Sequence, residues 1–295
     1  MDYELLKRII FGTGNIPENK VLVDPHAHFH ISLDPNEIVQ ILFDKNIGIQ
    51  AICDYQIESG KSEHVHSYRN FVGRLQGAND LEIIASDNGT TKLKRKDQKL
   101  ILYQGTEIET YIHGSEGGFL HDRHEIHLLV YGIRVQFDHA AEILRQAKHA
   151  QKAIAHPFTI PARGVGYVYA NRREREEVVI LARKFHAKLE GLNSVNALWM
   201  TPTNVQVIET ARKEGLRLIY STDTHARSDM ELTKRQLGLA GTLVSIEDFN
   251  KTWETKNILL MINSAIRNGE MYGRVQDPLL FMQVMVKPRL KRFGL

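Results

Sequence analysis

Short apolar runs alternate with longer amphipathic stretches along the chain. Residues 20–24 (KVLVD) read as a buried strand that ends in polar residues. Residues 35–46 carry helical spacing. Asp34 stands as the N-cap, and Pro35 sits at the first helical position, where a missing N–H costs nothing. Residues 49–53 form a second apolar run, and 62–76 fit a helix. Residues 81–85, 100–108 and 126–131 are strand-like. Helical periodicity returns over 138–150, 172–186, 202–214 and 246–268. Between these lie a short buried run at 153–155 and strand-like runs at 188–192 and 216–221. Strands alternating with helices predict an α/β fold, a parallel sheet or barrel. Functional residues then gather in the loops at the C-terminal ends of the strands. With no internal repeat and no Pro/Gly/Ser-rich linker, one domain over 1–295 is expected. Two basic stretches, residues 92–99 (KLKRKDQK) and 287–292 (KPRLKR), read as a solvated loop and a solvated tail.

Composition narrows this picture. The 295 residues are 42% hydrophobic and 25% charged, as in a soluble globular protein. A net charge of +3 is too balanced to imply nucleic-acid or membrane binding by charge alone. The single cysteine, Cys53, excludes an internal disulfide framework and a cysteine-built zinc site. The start Met1-Asp2-Tyr3-Glu4 lacks the pattern of a secretory signal, and no run approaches the roughly 18 apolar residues of a membrane span. The expectation is a cytoplasmic protein without membrane contact; a homo-oligomer stays open. Fourteen histidines beside one cysteine direct attention to metal or proton chemistry.

Five signals follow apolar runs. In Asp24-Pro25-His26-Ala27-His28 the two imidazoles emerge past KVLV, and on extended backbone alternate side chains share a face. His64-x-His66 is a second such pair, but in a polar stretch that reads as helical surface. Gly105-Thr106-Glu107-Ile108-Glu109 ends the run ILYQ, a costly place for an unpaired carboxylate; a carboxylate can also bridge two cations. His127 opens the strand-like run IHLLV, with His121 and His124 in the loop before it. The spacing there is not His-Glu-x-x-His, which excludes a helix-borne zinc protease site. His156-Pro157 follows AIA, and Asp223-Thr224-His225 follows LRLIY-Ser221-Thr222. Each signal has a plain alternative: loop histidines, an edge strand with solvent-facing acids, a satisfied core histidine, a polar turn. If the strands are parallel neighbours, however, all five meet on one rim. Imidazole and carboxylate without thiolate suit Mn, Fe or Zn in a site with open positions. Such ligands must be deprotonated, so the site should fill near neutral pH and empty in acid.

The ordered set resembles the PHP (polymerase and histidinol phosphatase) superfamily of metal-dependent phosphoesterases. The match runs through Asp24-x-His26-x-His28, Gly105-x-Glu107-Ile108, His127-Leu128-Leu129, Ala155-His156-Pro157 and Ser221-Thr222-Asp223-x-His225, over roughly residues 21–228. Glu190-Gly191-Leu192-Asn193 is similar to the segment that follows the histidine-proline motif in stand-alone members. The resemblance implies a distorted (β/α)7 barrel with the metal site at the C-terminal ends of the strands, and residues 229–295 as a C-terminal helical extension. It also implies that His26, His28, Glu107 and Asp223 hold one ion. Glu107, His127 and His156 would hold a second, and His225 belongs to the usual third site. Two features depart from the pattern: Phe29 to Pro35 lacks the usual Ser-Asp-Gly, leaving Asp34 or His30 as substitutes, and Tyr55 stands where a histidine is usual. Two divalent ions are therefore expected, with the third position weak or empty.

The chemistry that follows is hydrolysis of a phosphate ester by a metal-bound hydroxide, with Asp223 and His225 as catalytic residues and His225 as general acid. Arg163 and Arg227 are candidate phosphate partners. The substrate would be a nucleotide, an oligonucleotide end or another small phosphorylated molecule. VLVDPHAHF is also similar to the first strand of amidohydrolases and TatD-type nucleases. A degenerate barrel serving as a metal or nucleic-acid binding module is a further alternative.

Overall fold

The structure is a computed structural model and describes residues 2–61, 64–75, 80–87, 89–112, 125–162, 166–194, 201–225, 228–277, 280 and 283. Its strands are β1 (Lys20–Asp24), β2 (Ile47–Ile57), β3 (Gly60–Lys61), β4 (Glu82–Ser86), β5 (Thr90–Arg95), β6 (Gln98–Tyr111), β7 (Glu125–Tyr131), β8 (Gln151–Ala155), β9 (Thr159–Ala162), β10 (Gly166–Tyr169), β11 (Lys188–Asn193), β12 (Leu218–Ser221), β13 (Ala240–Ser245) and β14 (Glu270–Gly273). The helices are α1 (Tyr3–Phe11), α2 (Pro35–Asp44), α3 (Tyr68–Gly73), α4 (Ala140–Gln146), α5 (Arg172–Phe185), α6 (Thr201–Glu214), α7 (Met230–Gln236), α8 (Ile246–Glu254) and α9 (Ile258–Asn268). None is long and apolar enough to cross a membrane.

One sheet runs in the order β12-β11-β8-β7-β6-β2-β1-β13-β14. It curls into a nearly closed, distorted barrel: beyond the strand ends, Ala27 after β1 bridges in parallel to Thr224 after β12. Alternation along the strands divides the core. Val21, Val23, Ile49, Ala51, Ile101, Tyr103, Leu129, Ala153 and Ile219 fill one cluster with Phe249 of α8 and Ile258 and Ile262 of α9. The opposite faces pack under helices. Leu22 and Leu102 join Ile38 and Leu42 of α2, while Leu128, Ile154 and Leu189 join Ile143 of α4 and Val178 of α5. Each such fully buried aliphatic side chain is worth about 1.5–3 kcal/mol. Local signals agree with the packing. Asp34 caps α2 by accepting from Asn36 N, with Pro35 inside the first turn. Asn171 and Glu174 form a capping box on α5, which ends at His186 in the left-handed region.

Within this order, β7 is antiparallel to both β6 and β8, and β13 is antiparallel to β1. The reversal of β7 matters for the site. His127 lies near the beginning of its strand, yet its register partners are Glu109 of β6 and Ala155 of β8, close to the ends of those strands. The sequence-based expectation of parallel neighbours is corrected here: His127 reaches the common rim because its strand is turned round.

Other expectations change as well. Among the described residues of 62–76, the helix is the short α3 alone: Ser67 Oγ caps it by accepting from Asn70 N, and Val65 pairs with His30 instead. His66, expected on a surface helix, is buried; its N–H donates to Phe29 O at 2.7 Å and Nε2 lies 3.1 Å from Leu33 O. The basic stretch 92–99 is not a loop but the hairpin of β5 and β6. Leu93 is buried there, and Lys92 and Lys99 place their ammonium groups 5.8 and 5.5 Å from the Trp253 ring centre. Residues 246–268 form two helices, broken where Thr255 turns extended. The stretch expected as a helical extension also supplies strands β13 and β14. Residues 287–292 lie outside the described residues.

Candidate metal centre

Glu107 organises the rim. It projects from β6, where it pairs in register with Tyr55 of β2 and Leu129 of β7, and only 1% of its surface is exposed. Its two oxygens face two different groups. Oε2 lies 2.9 Å from His28 Nε2 and 3.5 Å from His26 Nε2. Oε1 lies 2.8 Å from His127 Nδ1 and 3.4 Å from His156 Nε2. Asp223 Oδ1 completes the first group, 3.3 Å from His26 Nε2 and 3.9 Å from His28 Nε2. His26, His28, Glu107 and Asp223 therefore converge as one set, and Glu107, His127 and His156 as another. The residues singled out at five separated points in the sequence meet in one place.

The outer hydrogen bonds fix which nitrogens face inward. His26 Nδ1 is 2.9 Å from Glu190 Oε1, and His28 Nδ1 is 3.0 Å from the Cys53 carbonyl. Both partners are acceptors, so each Nδ1 carries the proton and each Nε2 presents a lone pair. Those two lone pairs are 3.0 Å apart and face carboxylate oxygens. Asp223 Oδ1 accepts no well-aligned hydrogen bond, although His225 Nε2 is 2.8 Å away. With both rings neutral in this form, acceptors face acceptors, which is repulsive unless a proton or a metal cation enters. This set of imidazole and carboxylate atoms fits a divalent metal ion.

Without such an ion, protons must serve. Burial opposes charge on His26, but the carboxylates of Asp223, Glu107 and Glu190 carry its pKa well above the ordinary value. Burial likewise disfavours charged His127, yet Glu107 pushes it up to about 10. Burial would raise Glu107, but His26 and His127 hold it well below the usual carboxylate range. Asp223 is also lowered, by His225 and His26 against the effect of burial. His28 is lowered by its burial. The cluster thus stores protons that a divalent ion would displace.

Backbone conformation adds to the picture. His156 and Asp223 have φ of 28° and 53°, uncommon for residues with a side chain. Each is held in place: His156 N donates to Glu190 Oε2 at 2.7 Å, and Asp223 N donates to the His26 carbonyl at 2.7 Å. Asn193 Nδ2 donates to both Glu190 Oε2 and Asp223 Oδ2.

Glu190 is the functional residue that sequence reasoning left without a role. It is buried in β11 and accepts from His26, His156 N, Asn193 and the Ser221 hydroxyl, so it ties together the ends of β1, β8, β11 and β12. The available signal was an acid inside the apolar strand KLEGLN, costly unless fully hydrogen-bonded. Asp24 plays a similar part, accepting from Thr222 N and His26 N, and burial raises its pKa to about 7.

The structure leaves other candidates apart. His225 does not join either converging group; it contacts Asp223 from the more open side, with 33% of its side chain exposed. Asp34 serves as a helix cap, and His30 lies 2.8 Å from the Ser32 hydroxyl and stacks on His64, so neither joins the groups. Tyr55 donates its hydroxyl to Glu109 Oε2 at 2.5 Å, and its ring lies 5.8 Å from that of His28 and 6.0 Å from that of His127. Arg163, Arg227, His121 and His124 lie outside the described residues.

No protein-family model matches the chain, and no curated protein does. Two solved structures are similar to it. One is a lesion-specific endonuclease, PfuEndoQ from Pyrococcus furiosus, with TM-score 0.47 and 15% identity over 88% of this chain. The chain spans 60% of that protein's length. The other is a candidate metal-dependent phosphoesterase from Bifidobacterium adolescentis, with TM-score 0.42 and 10% identity over 73% of this chain and 91% of that one.

Proposed function

We propose that the chain is a metal-dependent phosphoesterase that takes two divalent ions, Mn, Fe or Zn, and hydrolyses a phosphate ester. His26, His28, Glu107 and Asp223 would hold one ion and Glu107, His127 and His156 the other. The observation that carries this reading is the buried convergence of imidazole nitrogens and carboxylate oxygens on the two oxygens of Glu107. Two such ions supply a water activated at neutral pH and a clamp on the attacking and leaving oxygens of a phosphoryl group.

The residues divide the remaining work. Glu107 keeps the two groups together, because each of its oxygens serves a different one. Glu190 and the Cys53 carbonyl hold the His26 and His28 rings by their outer nitrogens. His225 stands on the open side, and its pKa is raised: burial opposes the charge, but Asp223 favours it. Asp223 thus favours the charged ring, which suits His225 to donate a proton to the leaving-group oxygen. Arg163 and Arg227 are the proposed partners of the phosphate oxygens. The substrate class is a nucleotide, an oligonucleotide end or another small phosphomonoester.

Amidohydrolase chemistry with a strand-end lysine is disfavoured by the positions of two buried lysines. Lys152 and Lys188 sit at the beginnings of β8 and β11, far along the strands from the cluster. The test is metal content and phosphate release on one purified sample, with phosphomonoesters, a dihydroorotate-like amide and DNA as substrates. Close to two ions per chain with phosphate release supports the proposal. Amide hydrolysis alone, or two ions without hydrolysis of any phosphate ester (read as free phosphate from monoesters and as cleaved products from DNA), overturns it.

A further inference from the structure

The imidazoles of the cluster follow a common arrangement, and one of them identifies a residue not yet assigned. Each ring presents one nitrogen inward and offers the other to an acceptor: His26 to Glu190, His28 to the Cys53 carbonyl, and His156 to Thr159 Oγ1 at 3.2 Å. Thr159 Oγ1 donates its own proton to the His156 carbonyl at 2.7 Å, which leaves it free to accept from the ring. On His127 the inward nitrogen is Nδ1, 2.8 Å from Glu107 Oε1. Its outward nitrogen, Nε2, is buried and has no aligned hydrogen bond, but Glu125 Oε1 lies 3.5 Å away. Glu125 is two residues earlier on β7, so strand alternation puts both side chains on one face. The other nearby carboxylate, Glu109, already accepts from the Tyr55 hydroxyl.

We propose that Glu125 is a positioning residue for the second ion: it accepts the Nε2–H of His127 and so turns the Nδ1 lone pair toward the space shared with Glu107 and His156. This rests on the metal-binding reading above. A neutral imidazole has a single N–H, and whichever nitrogen carries it cannot bind a metal. Among the described residues, Glu125 is the acceptor that selects the productive form. Its negative charge also makes the ring a stronger donor of electrons to the ion.

Glu109, Glu125 and His127 also converge closely enough to suggest a third cation. The chemistry of the ring argues otherwise. An ion on Nδ1 and another on Nε2 would require the imidazole to lose both protons. The proposal therefore excludes an ion on His127 Nε2 between Glu109 and Glu125, with Glu125 coordinating neither of the two ions.

The test is a Zn²⁺ titration of the metal-free full-length protein against a chromophoric chelator, with ion counting after dialysis. Variants Glu125→Ala and Glu125→Gln are compared with Glu247→Gln, which removes a distant exposed charge. In Glu125→Ala the weaker-held second ion should lose about 10–100-fold in affinity, the usual effect of removing such a partner. The first ion should hold within about twofold, since His26 and His28 keep their own partners. Glu125→Gln should recover most of the loss, because its amide oxygen accepts the same hydrogen. In the Zn-loaded protein, ¹⁵N NMR of the histidine rings should show a proton on His127 Nε2 that is slow to exchange in the wild type and fast in Glu125→Ala.

Unchanged second-ion affinity in Glu125→Ala would overturn the proposal. So would equal weakening of both ions, or a wild-type count of three that falls to two. Wild-type protein that takes up no ion would remove the metal reading and this proposal together. Wild-type protein that binds two ions but releases no phosphate would remove only the phosphoesterase reading, and the affinity series would still report on Glu125.

Discussion

At the beginnings of the barrel strands, Lys152 and Lys188 enter the sheet buried, and at least one has its polar needs met on the spot. Lys152 Nζ donates to the Ala147 carbonyl at 3.0 Å, at the end of α4. Burial lowers the pKa of Lys188 to about 8, which makes its charge cheap to lose. Between these ends and the rim lie apolar layers closed by α8 and α9. At the other rim the balance reverses. Acids and imidazoles are buried together, acceptors oppose acceptors, and two residues hold positive φ. One end is what a folding barrel needs; the other buries charge and backbone strain of the kind that gathers at binding sites.

The largest effect should come from separating the two ends at Glu107. Glu107→Gln leaves size unchanged but removes the charge shared by both groups. Its kcat/KM should fall at least about 10³-fold, or about 4 kcal/mol of barrier, and dialysed protein should lose both ions. Retention of two tightly held ions would sink the bridging role. The matching change in the apolar layers is Ile101→Ala. Ile101 is fully buried, and truncation should cost about 2–5 kcal/mol of stability in chemical denaturation. Metal stoichiometry should stay the same; a loss of ions there would mean that the two ends are not separable.

Much of this was legible in the sequence. The run KVLVD ending in His26 and His28, and the position of His156 after AIA, follow from apolar strands ending at a shared rim. His127 was found for an incomplete reason: periodicity reveals a strand but not its direction, and β7 runs backwards. Strand β13 was missed because its run AGTLVS is short and small, and its place beside β1 depends on pairing across more than 200 positions. Glu190 was missed because a single acid in a strand does not say what it accepts. Tyr55 is legible as a departure from the pattern, but its hydrogen bond to Glu109 depends on the pairing of β2 with β6.

A smaller effect is expected at the boundary between site and solvent. His225→Asn should leave two ions bound and lower kcat by about 10²–10⁴-fold, the usual worth of a general acid. The loss should shrink for esters with good leaving groups, such as nitrophenyl phosphate; an equal loss on all esters would exclude proton donation. Gly105 tests the layer just beneath. A β-carbon there would sit 2.5 Å from Cys53 Sγ and 3.4 Å from the Tyr131 ring. Gly105→Ala should cost about 1–3 kcal/mol by overpacking. Because the Cys53 carbonyl holds the His28 ring, the first ion should also bind more weakly. Full metal affinity in a destabilised Gly105→Ala protein would show that His28 does not depend on that carbonyl.

The smallest effect, and the most direct comparison of the two ends, is the response to pH. In metal-free protein, Glu107 raises the pKa of His127 from 6.5 to about 10, although burial opposes the charge. A raised pKa stabilises the fold fully below 6.5, and the contribution fades as pH climbs toward 10. Glu107 has the opposite sign: its lowered pKa stabilises the fold above 4.5 and is lost as acid protonates it. The contribution of this pair to metal-free stability should therefore be fullest between 4.5 and 6.5 and fade toward 10. A divalent ion takes the place of the proton on His127, so its affinity should rise about tenfold per pH unit for each proton displaced. Thermal unfolding with Zn²⁺ and with chelator, followed from pH 6.5 to 10, should thus give curves that diverge. The lysines at the opposite end contribute equally to both curves and cannot produce that divergence. Curves that stay parallel would mean that no proton leaves the rim when the ion arrives, and the acceptor cluster would lose its claim to be a metal site.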